Sequence, residues 1–196
     1  MGSMKKILPE KFFQQPTLKI AHNLLGKFLV RKYRGKRIYL LITEVEAYDG
    51  FNDKASHASR GKTLRNSPMF ETGGIFYIYF TYGMHYMLNI VTDSKDYPSA
   101  ILIRAGIATS MNNLSIQQFN NKSIHINGPA KLTKFLKINK KINGLRAIRK
   151  NNLWFEDHGI KIKKSQIITK PRTGVDYAGP IWSKKLYKFS INPKTF

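Results

Sequence analysis

Cysteine is absent from the 196 residues, which excludes disulfide bonds and thiolate metal ligands. No apolar run comes near the roughly 20 residues that a membrane-spanning helix requires, and the first residues lack the apolar stretch of a signal peptide. The start, Met1-Gly2-Ser3 followed by Met4, has the form of a cloning remnant, so we expect residues 1–3 to contribute nothing to the fold. These absences predict a soluble intracellular protein.

Acidic side chains are scarce. The chain has 11 Asp and Glu against 34 Lys and Arg, which gives a formal net charge of +23. A surface of this kind attracts polyanions, because each neutralised phosphate releases counterions. Nucleic acid is therefore the expected partner, with an anionic membrane surface as the alternative. Charge alone predicts no reaction.

The hydrophobic pattern predicts short strands between polar turns, with few helices. Helices are expected at residues 17–27 and from Pro129 onward, strands at 27–33, 36–48, 99–107, 154–163 and 187–191, a hairpin at 74–91 turning at Tyr82-Gly83, and loops at 50–67 and 110–127. The simplest packing is a single α+β domain over residues 1–196. We expect a curved antiparallel β-sheet with peripheral helices and a protruding β-hairpin.

Four of the scarce carboxylates lie close together, at Glu44, Glu46, Asp49 and Asp53. Because strand side chains alternate, Glu44, Glu46 and Tyr48 are predicted to share one face. Two carboxylates at the end of an apolar strand are costly to bury without a partner or a purpose. One purpose is to activate water for attack on a sugar carbon. The alternative is one structural salt bridge and one solvated acid.

The same acids allow a metal site as a further alternative. Together with His57 they offer oxygen and imidazole ligands for Mg²⁺, which would indicate a metal-dependent nuclease. Such sites usually gather acids from several strands, however, and few acids lie elsewhere in this sequence.

Aromatic residues concentrate in residues 76–86. Alternation there predicts Phe76, Ile78 and Phe80 in the core, with two tyrosines on the other face. Tyrosines beside an acidic cleft in a basic protein are typical of base stacking, and an aromatic at a turn is typical of a wedge between base pairs. Plain core packing is the alternative interpretation.

These segments resemble the alkyladenine (3-methyladenine) DNA glycosylase family of base-excision repair. The matching pieces, in the family's order, are Leu25-Gly26-Lys27, Glu44-Val45-Glu46-Ala47-Tyr48, Ser56-His57-Ala58-Ser59-Arg60-Gly61, Arg65-Asn66, Met69-Phe70, Tyr77-Ile78-Tyr79-Phe80-Thr81-Tyr82-Gly83-Met84, Leu102-Ile103-Arg104-Ala105, Gly128-Pro129-Ala130-Lys131-Leu132 and Arg172-Thr173-Gly174-Val175-Asp176-Tyr177-Ala178. The resemblance covers almost the whole chain. One departure is Leu64, which stands where the family usually has proline.

The resemblance implies a role for seven residues. It makes Glu46 the general base that deprotonates the attacking water, and Arg104 the residue that helps to hold that carboxylate and water. Tyr82 matches the hairpin tyrosine that enters the minor groove and fills the vacated stack. The residues matching the pocket for the flipped base are Tyr48, His57, Tyr79 and Asn89. Glu44 matches an acid without a settled role.

The implied activity is a monofunctional DNA glycosylase. It would flip 3-methyladenine, 7-methylguanine or hypoxanthine out of double-stranded DNA and hydrolyse the N-glycosidic bond. The resemblance implies no metal, no cofactor, no AP lyase activity and no membrane, and a monomer in the bacterial cytoplasm or nucleoid. A non-catalytic nucleic-acid-binding protein and a metal-dependent nuclease are the alternatives.

Overall fold

The computed structural model describes residues 6–110 and 123–192. Ten strands within these ranges form one antiparallel sheet. The strands are β1 (Lys6–Ile7), β2 (Phe28–Tyr33), β3 (Lys36–Asp49), β4 (Phe76–Thr81), β5 (His85–Val91), β6 (Ser99–Ser110), β7 (Ile124–Asn127), β8 (Leu153–Asp157), β9 (Ile167–Lys170) and β10 (Lys188–Ile191). The main path runs β1-β8-β2-β3-β6-β5-β4, while β7 pairs with β6 and β10 pairs with both β3 and β9.

Helices are few and short in the described residues. They are α1 (Glu10–Phe13), α2 (Thr17–Leu24), α3 (Pro129–Phe135) and α4 (Gly179–Trp182), with 3-10 turns at Ser67–Phe70, Lys140–Ile142, Arg149–Asn151, Lys164–Gln166 and Asp176–Ala178. Each helix there is too short or too polar to cross a membrane. The α+β class and the curved antiparallel sheet predicted from the sequence are confirmed.

The core lies between α2 and one face of the sheet. Helix α2 buries Ile20, Ala21 and Leu24, which recur at helical spacing, and it packs on β3 and β6. Val45 and Ala47 of β3 join this cluster. The residues that alternate with them, above all Glu46, therefore face the opposite side of the sheet.

The register between the two longest strands, β3 and β6, is irregular next to the acidic residues. Ile42 lies opposite Gly106, Glu44 opposite Ala105 and Val45 opposite Ile103. One residue on each strand, Thr43 and Arg104, is consequently left without a Cα partner. Bulges of this kind bend the sheet and redirect a side chain, and here the bulge brings Arg104 beside the acidic residues.

Several predicted boundaries were wrong. Helix α2 ends at Leu24 because Leu25 is extended and Gly26 has a φ of +78°. The strand predicted at 154–163 ends at Asp157, before Gly159 at a φ of +79°.

The loop predicted at residues 110–127 needs two corrections. Ser110 is still in β6, and Ile124–Asn127 forms β7, because the edge of β6 from Ala105 to Ala108 is free to pair with it. Residues 111–122 lie outside the described residues.

The hairpin predicted at 74–91 is formed by β4 and β5, with Thr81 opposite His85. Its projection from the sheet stays a prediction. Phe80 is not buried in the core as predicted: it is 46% exposed and packs against Tyr86 on the neighbouring strand, with the ring centroids 4.9 Å apart.

Candidate active site

A cavity of about 340 Å³ opens on the sheet face opposite α2. It lies within the ~300–1,000 Å³ typical of small-molecule sites. All seven residues selected from the sequence line it: Glu46, Tyr48, His57, Tyr79, Tyr82, Asn89 and Arg104. They come from β3, β4, β5, β6, the loop after β3 and the hairpin turn. The structure therefore brings together residues that are far apart in the sequence.

Glu46 lies at the floor of this cavity with 0% of its surface exposed. Its Oε2 accepts a hydrogen bond from the Tyr48 hydroxyl at 3.0 Å and lies 3.2 Å from Arg104 Nη1. Its Oε1 accepts the backbone N–H of Thr173 at 2.8 Å. Donors on both oxygens stabilise an ionised carboxylate, so this geometry can hold a negative charge out of bulk water.

Arg104 connects the two acidic residues of β3. Its Nε donates to Glu44 Oε1 at 2.9 Å, while Nη1 faces Glu46. Burial lowers the pKa of Arg104, but the charge of Glu46 and the hydrogen bond and charge of Glu44 outweigh burial and raise it. Glu44 thus orients the arginine, which is a structural role for the acid whose function the resemblance left open.

Tyr48 stays protonated in this setting. Burial raises the pKa of its hydroxyl well above the usual value, and the charge of Glu46 raises it further. A phenol that keeps its proton can only serve Glu46 as a donor.

One wall of the cavity is aromatic. The rings of His57 and Tyr79 meet edge to face with centroids 4.5 Å apart, and His57 Nδ1 lies 3.0 Å from the Tyr77 hydroxyl. Burial, and then the charge of Arg65, lower the pKa of His57. Burial, followed by Tyr177 and Glu46, raises the pKa of Tyr79 to about 12. This wall is therefore uncharged at neutral pH.

The loop that carries His57 is held by Asn66. The Asn66 side-chain amide donates to the carbonyls of His57 and Gly61, each at 2.9 Å, and its Oδ1 accepts the N–H of Thr63 at 2.7 Å. Leu64, which stands where the resemblance leads us to expect proline, is 98% exposed. The substitution therefore leaves the support of His57 in place.

Asn89 and Tyr82 occupy opposite extremes of exposure. Asn89 is buried in β5, and its amide donates to the Tyr77 carbonyl at 3.1 Å. Tyr82 is 86% exposed at the hairpin turn. Tyr82 and Gly83 have φ values of +51° and +65° and lie in the three-residue loop between Thr81 and His85, where the N–H of Met84 donates to the Thr81 carbonyl at 3.2 Å.

Comparison with known proteins shows the family of this chain. The sequence model of the family described as methylpurine-DNA glycosylase (MPG) matches residues 11–195. The chain belongs to the methylpurine-DNA glycosylase family.

Similar proteins occur in several organisms. A chain from Methanocella arvoryzae is 44% identical over 176 residues, which are 88% of this chain and 86% of that one. One from Natranaerobius thermophilus is 35% identical over 195 residues, covering 96% and 97%. One from Borreliella burgdorferi is 40% identical over 186 residues, covering 94% and 96%. All three carry the name "Putative 3-methyladenine DNA glycosylase".

In this methylpurine-DNA glycosylase family member, sequence reasoning missed one part of the cavity wall. Thr173, Gly174, Val175 and Tyr177 line the cavity there. The resemblance included this segment but gave it no role. A backbone N–H such as that of Thr173 has no side-chain signature, so only the folded chain reveals it.

The residues that the sequence suggested as Mg²⁺ ligands contact other side chains of this protein. Asp53 is bound by Arg172, and Glu44 and Glu46 share Arg104. Across residues 6–110 and 123–192, no three His, Asp or Glu side chains form a group suited to a metal ion. The acids proposed for the nuclease alternative therefore do not converge.

Proposed function

We propose that this protein hydrolyses the N-glycosidic bond between a damaged purine and deoxyribose in double-stranded DNA. The proposed lesions are 3-methyladenine, 7-methylguanine and hypoxanthine. The observation that carries the proposal is Glu46, a buried carboxylate with three donors at the floor of a tyrosine-lined cavity. Membership of the methylpurine-DNA glycosylase family supports the same chemistry.

Binding begins with the DNA backbone. The net charge of +23 supplies an attraction that does not depend on base sequence. The exposed ring of Tyr82 then enters the minor groove and replaces the lesion in the stack, while the lesion rotates into the cavity. Damaged bases lose less stacking and pairing on leaving the duplex, which favours them at this step.

The aromatic wall suits an alkylated purine. Alkylation at a ring nitrogen gives the base a positive charge, and the faces of Tyr48 and Tyr79 attract cations. The lowered pKa of His57 keeps that side chain neutral, so it does not repel a cationic base. Hypoxanthine, which is neutral, relies on stacking and hydrogen bonds instead.

Hydrolysis follows from the position of Glu46. As the bond from the sugar C1′ to the purine nitrogen breaks, its electron pair leaves with the base and the sugar becomes oxocarbenium-like. The Glu46 carboxylate stabilises this positive charge and takes a proton from water, whose oxygen bonds to C1′. Arg104 and Tyr48 hold the carboxylate in place. The described residues that line the cavity include no lysine, so we propose attack by water without a Schiff base.

Base release from lesion-containing duplexes tests this proposal. Duplexes with one hypoxanthine, 3-methyladenine or 7-methylguanine are incubated with the protein, with and without EDTA. We expect free base, an intact strand before alkali treatment, no effect of EDTA and no borohydride-trapped adduct. EDTA-sensitive strand cutting would support the nuclease alternative. Tight binding without base release would support a non-catalytic binding protein.

A further inference from the structure

A buried ion pair next to the cavity has no part in the proposed chemistry. The side chains of Asp53 and Arg172 are both 0% exposed. Arg172 Nη2 donates to Asp53 Oδ1 at 2.8 Å, and Nη1 donates to the other carboxylate oxygen. Neither residue is among those that line the cavity. Any effect of this pair on the reaction must therefore pass through other residues.

Arg172 contacts the strand that carries Glu46. Its Nη1 also donates to the carbonyl of Ala47 at 2.8 Å, directly after Glu46 in the chain. Its guanidinium lies over the Tyr48 ring, 4.8 Å from the centroid. Tyr48 in turn donates to Glu46 Oε2. One cation thus holds both the backbone and the aromatic donor beside the carboxylate.

The same arginine fixes the second donor. Thr173 follows Arg172 in the chain, and its N–H reaches Glu46 Oε1. Asp53 meanwhile accepts the N–H groups of Asp49 and Ala55, each at 3.1 Å. The ion pair therefore joins three segments: the end of β3, the loop leading to His57, and the segment of Thr173.

Stability alone is a weak explanation for this arrangement. A buried ion pair often stabilises a fold no more than the apolar residues that could replace it, because both charges lose their hydration. Within the described residues, Arg172 Nε is buried without a hydrogen-bond partner, which adds to the cost. A fixed geometry at the cavity is the gain that these contacts offer.

We propose that Asp53 and Arg172 are a positioning pair that sets the orientation of the Glu46 carboxylate through Tyr48 and Thr173. The inference rests on the proposed function, since it concerns the rate of the step that Glu46 performs. It makes both residues positioning residues, not catalytic ones.

Three variants test the positioning pair. Arg172→Lys keeps the positive charge but loses the bidentate contact with the carboxylate, and Asp53→Asn removes the negative charge. The double variant Arg172→Met with Asp53→Leu removes both charges at similar volume, which protects folding. The matched control is Asp157→Asn, which breaks the part-buried Lys27–Asp157 ion pair (2.7 Å) outside the cavity.

The readouts separate chemistry from binding and folding. Single-turnover base release at saturating protein is divided by the folded fraction from circular dichroism, and the Kd for the lesion duplex is measured separately. We expect all three variants to release base much more slowly, by as much as ~100-fold, since small misplacements of a reacting group cost about that much. Their Kd should stay near the wild-type value, and the control should match wild type in both.

A second comparison tests whether the positioning pair affects the rate through Glu46. In a Glu46→Gln background, Arg172→Lys should slow the residual reaction by no more than about twofold, since residues acting as one unit are not additive. Equal losses in both backgrounds would overturn the inference. So would a full rate per folded molecule in Arg172→Lys or the double variant, or a loss confined to Kd. If wild type released no base, the proposed function itself would fail.

Discussion

At the scale of single residues, the site depends on keeping one negative charge among neutral aromatic groups. Glu46 receives its donors from β3, from β6 and from the segment after β9. Tyr48 and Tyr79 keep their protons because their pKa values are raised. Among the described residues that line the cavity, the charged side chains are consequently the carboxylate of Glu46 and the guanidinium of Arg104.

His57 makes the charge of the cavity dependent on pH. Burial and Arg65 lower its pKa below the usual value of about 6.5. At higher pH neither the folded nor the unfolded state holds the proton. As the pH falls below that value, the unfolded chain takes up the proton first, so the free energy of unfolding decreases. At still lower pH the folded state is protonated too, and His57 then repels a cationic base.

We therefore predict that the release rates of two lesions decline differently as the pH falls. Release of cationic 7-methylguanine should fall more steeply than release of neutral hypoxanthine as the pH drops through the pKa of folded His57, which lies below ~6.5, and His57→Gln should remove most of that difference. Single-turnover rates for both lesions across this pH range check the prediction. Parallel pH profiles in wild type, or an unchanged difference in His57→Gln, would contradict it.

At the scale of elements, two features build the site. The paired bulges of β3 and β6 place Arg104 beside Glu44 and Glu46, and the β4–β5 hairpin carries aromatic residues from the cavity wall to the exposed turn. Tyr77 is buried and Tyr48 and Tyr79 are partly buried by the fold, whereas the side chain of Tyr82 is 86% exposed. We therefore expect Tyr82 to contribute to DNA binding and not to the stability of the fold.

Tyr82→Ala tests the role of the hairpin turn. Because the side chain is 86% exposed, the free energy of unfolding should change by no more than ~0.5 kcal/mol. Losing a stacking ring worth about 1–3 kcal/mol should lower capture of the flipped base ~10-fold or more. The matched control is Tyr33→Ala, at the end of β2 and outside the cavity. Base release and duplex affinity equal to wild type in Tyr82→Ala would show that Tyr82 has no such role.

Local patterns predicted these elements well where alternation and turn residues govern them. The shared face of Glu44, Glu46 and Tyr48 and the turn at Tyr82-Gly83 both follow from short-range geometry. Strand β7 was missed because its Asn-containing sequence pairs only when β6 presents a free edge. Strand β9 was missed for a similar reason: it pairs only with β10.

At the scale of the whole molecule, one sheet supplies the floor of the cavity and two distant segments supply its walls. Family resemblance predicted the residues of the floor and one wall. The Thr173 N–H and the Asp53–Arg172 pair connect positions more than 100 residues apart, and no local pattern encodes such contacts. The net charge of +23 predicts a polyanionic partner but no reaction; the reaction was predicted from the acidic strand end and the family resemblance.

The central claim is that Glu46 activates the water that breaks the glycosidic bond. Its most direct test is the single-turnover rate of hypoxanthine release by Glu46→Gln, with duplex affinity measured alongside. The exposed Glu71 provides the matched control, Glu71→Gln. We predict that Glu46→Gln binds the duplex like wild type but releases base ~100-fold more slowly or worse, while Glu71→Gln keeps the wild-type rate. A Glu46→Gln protein that released hypoxanthine at the wild-type rate would contradict the account.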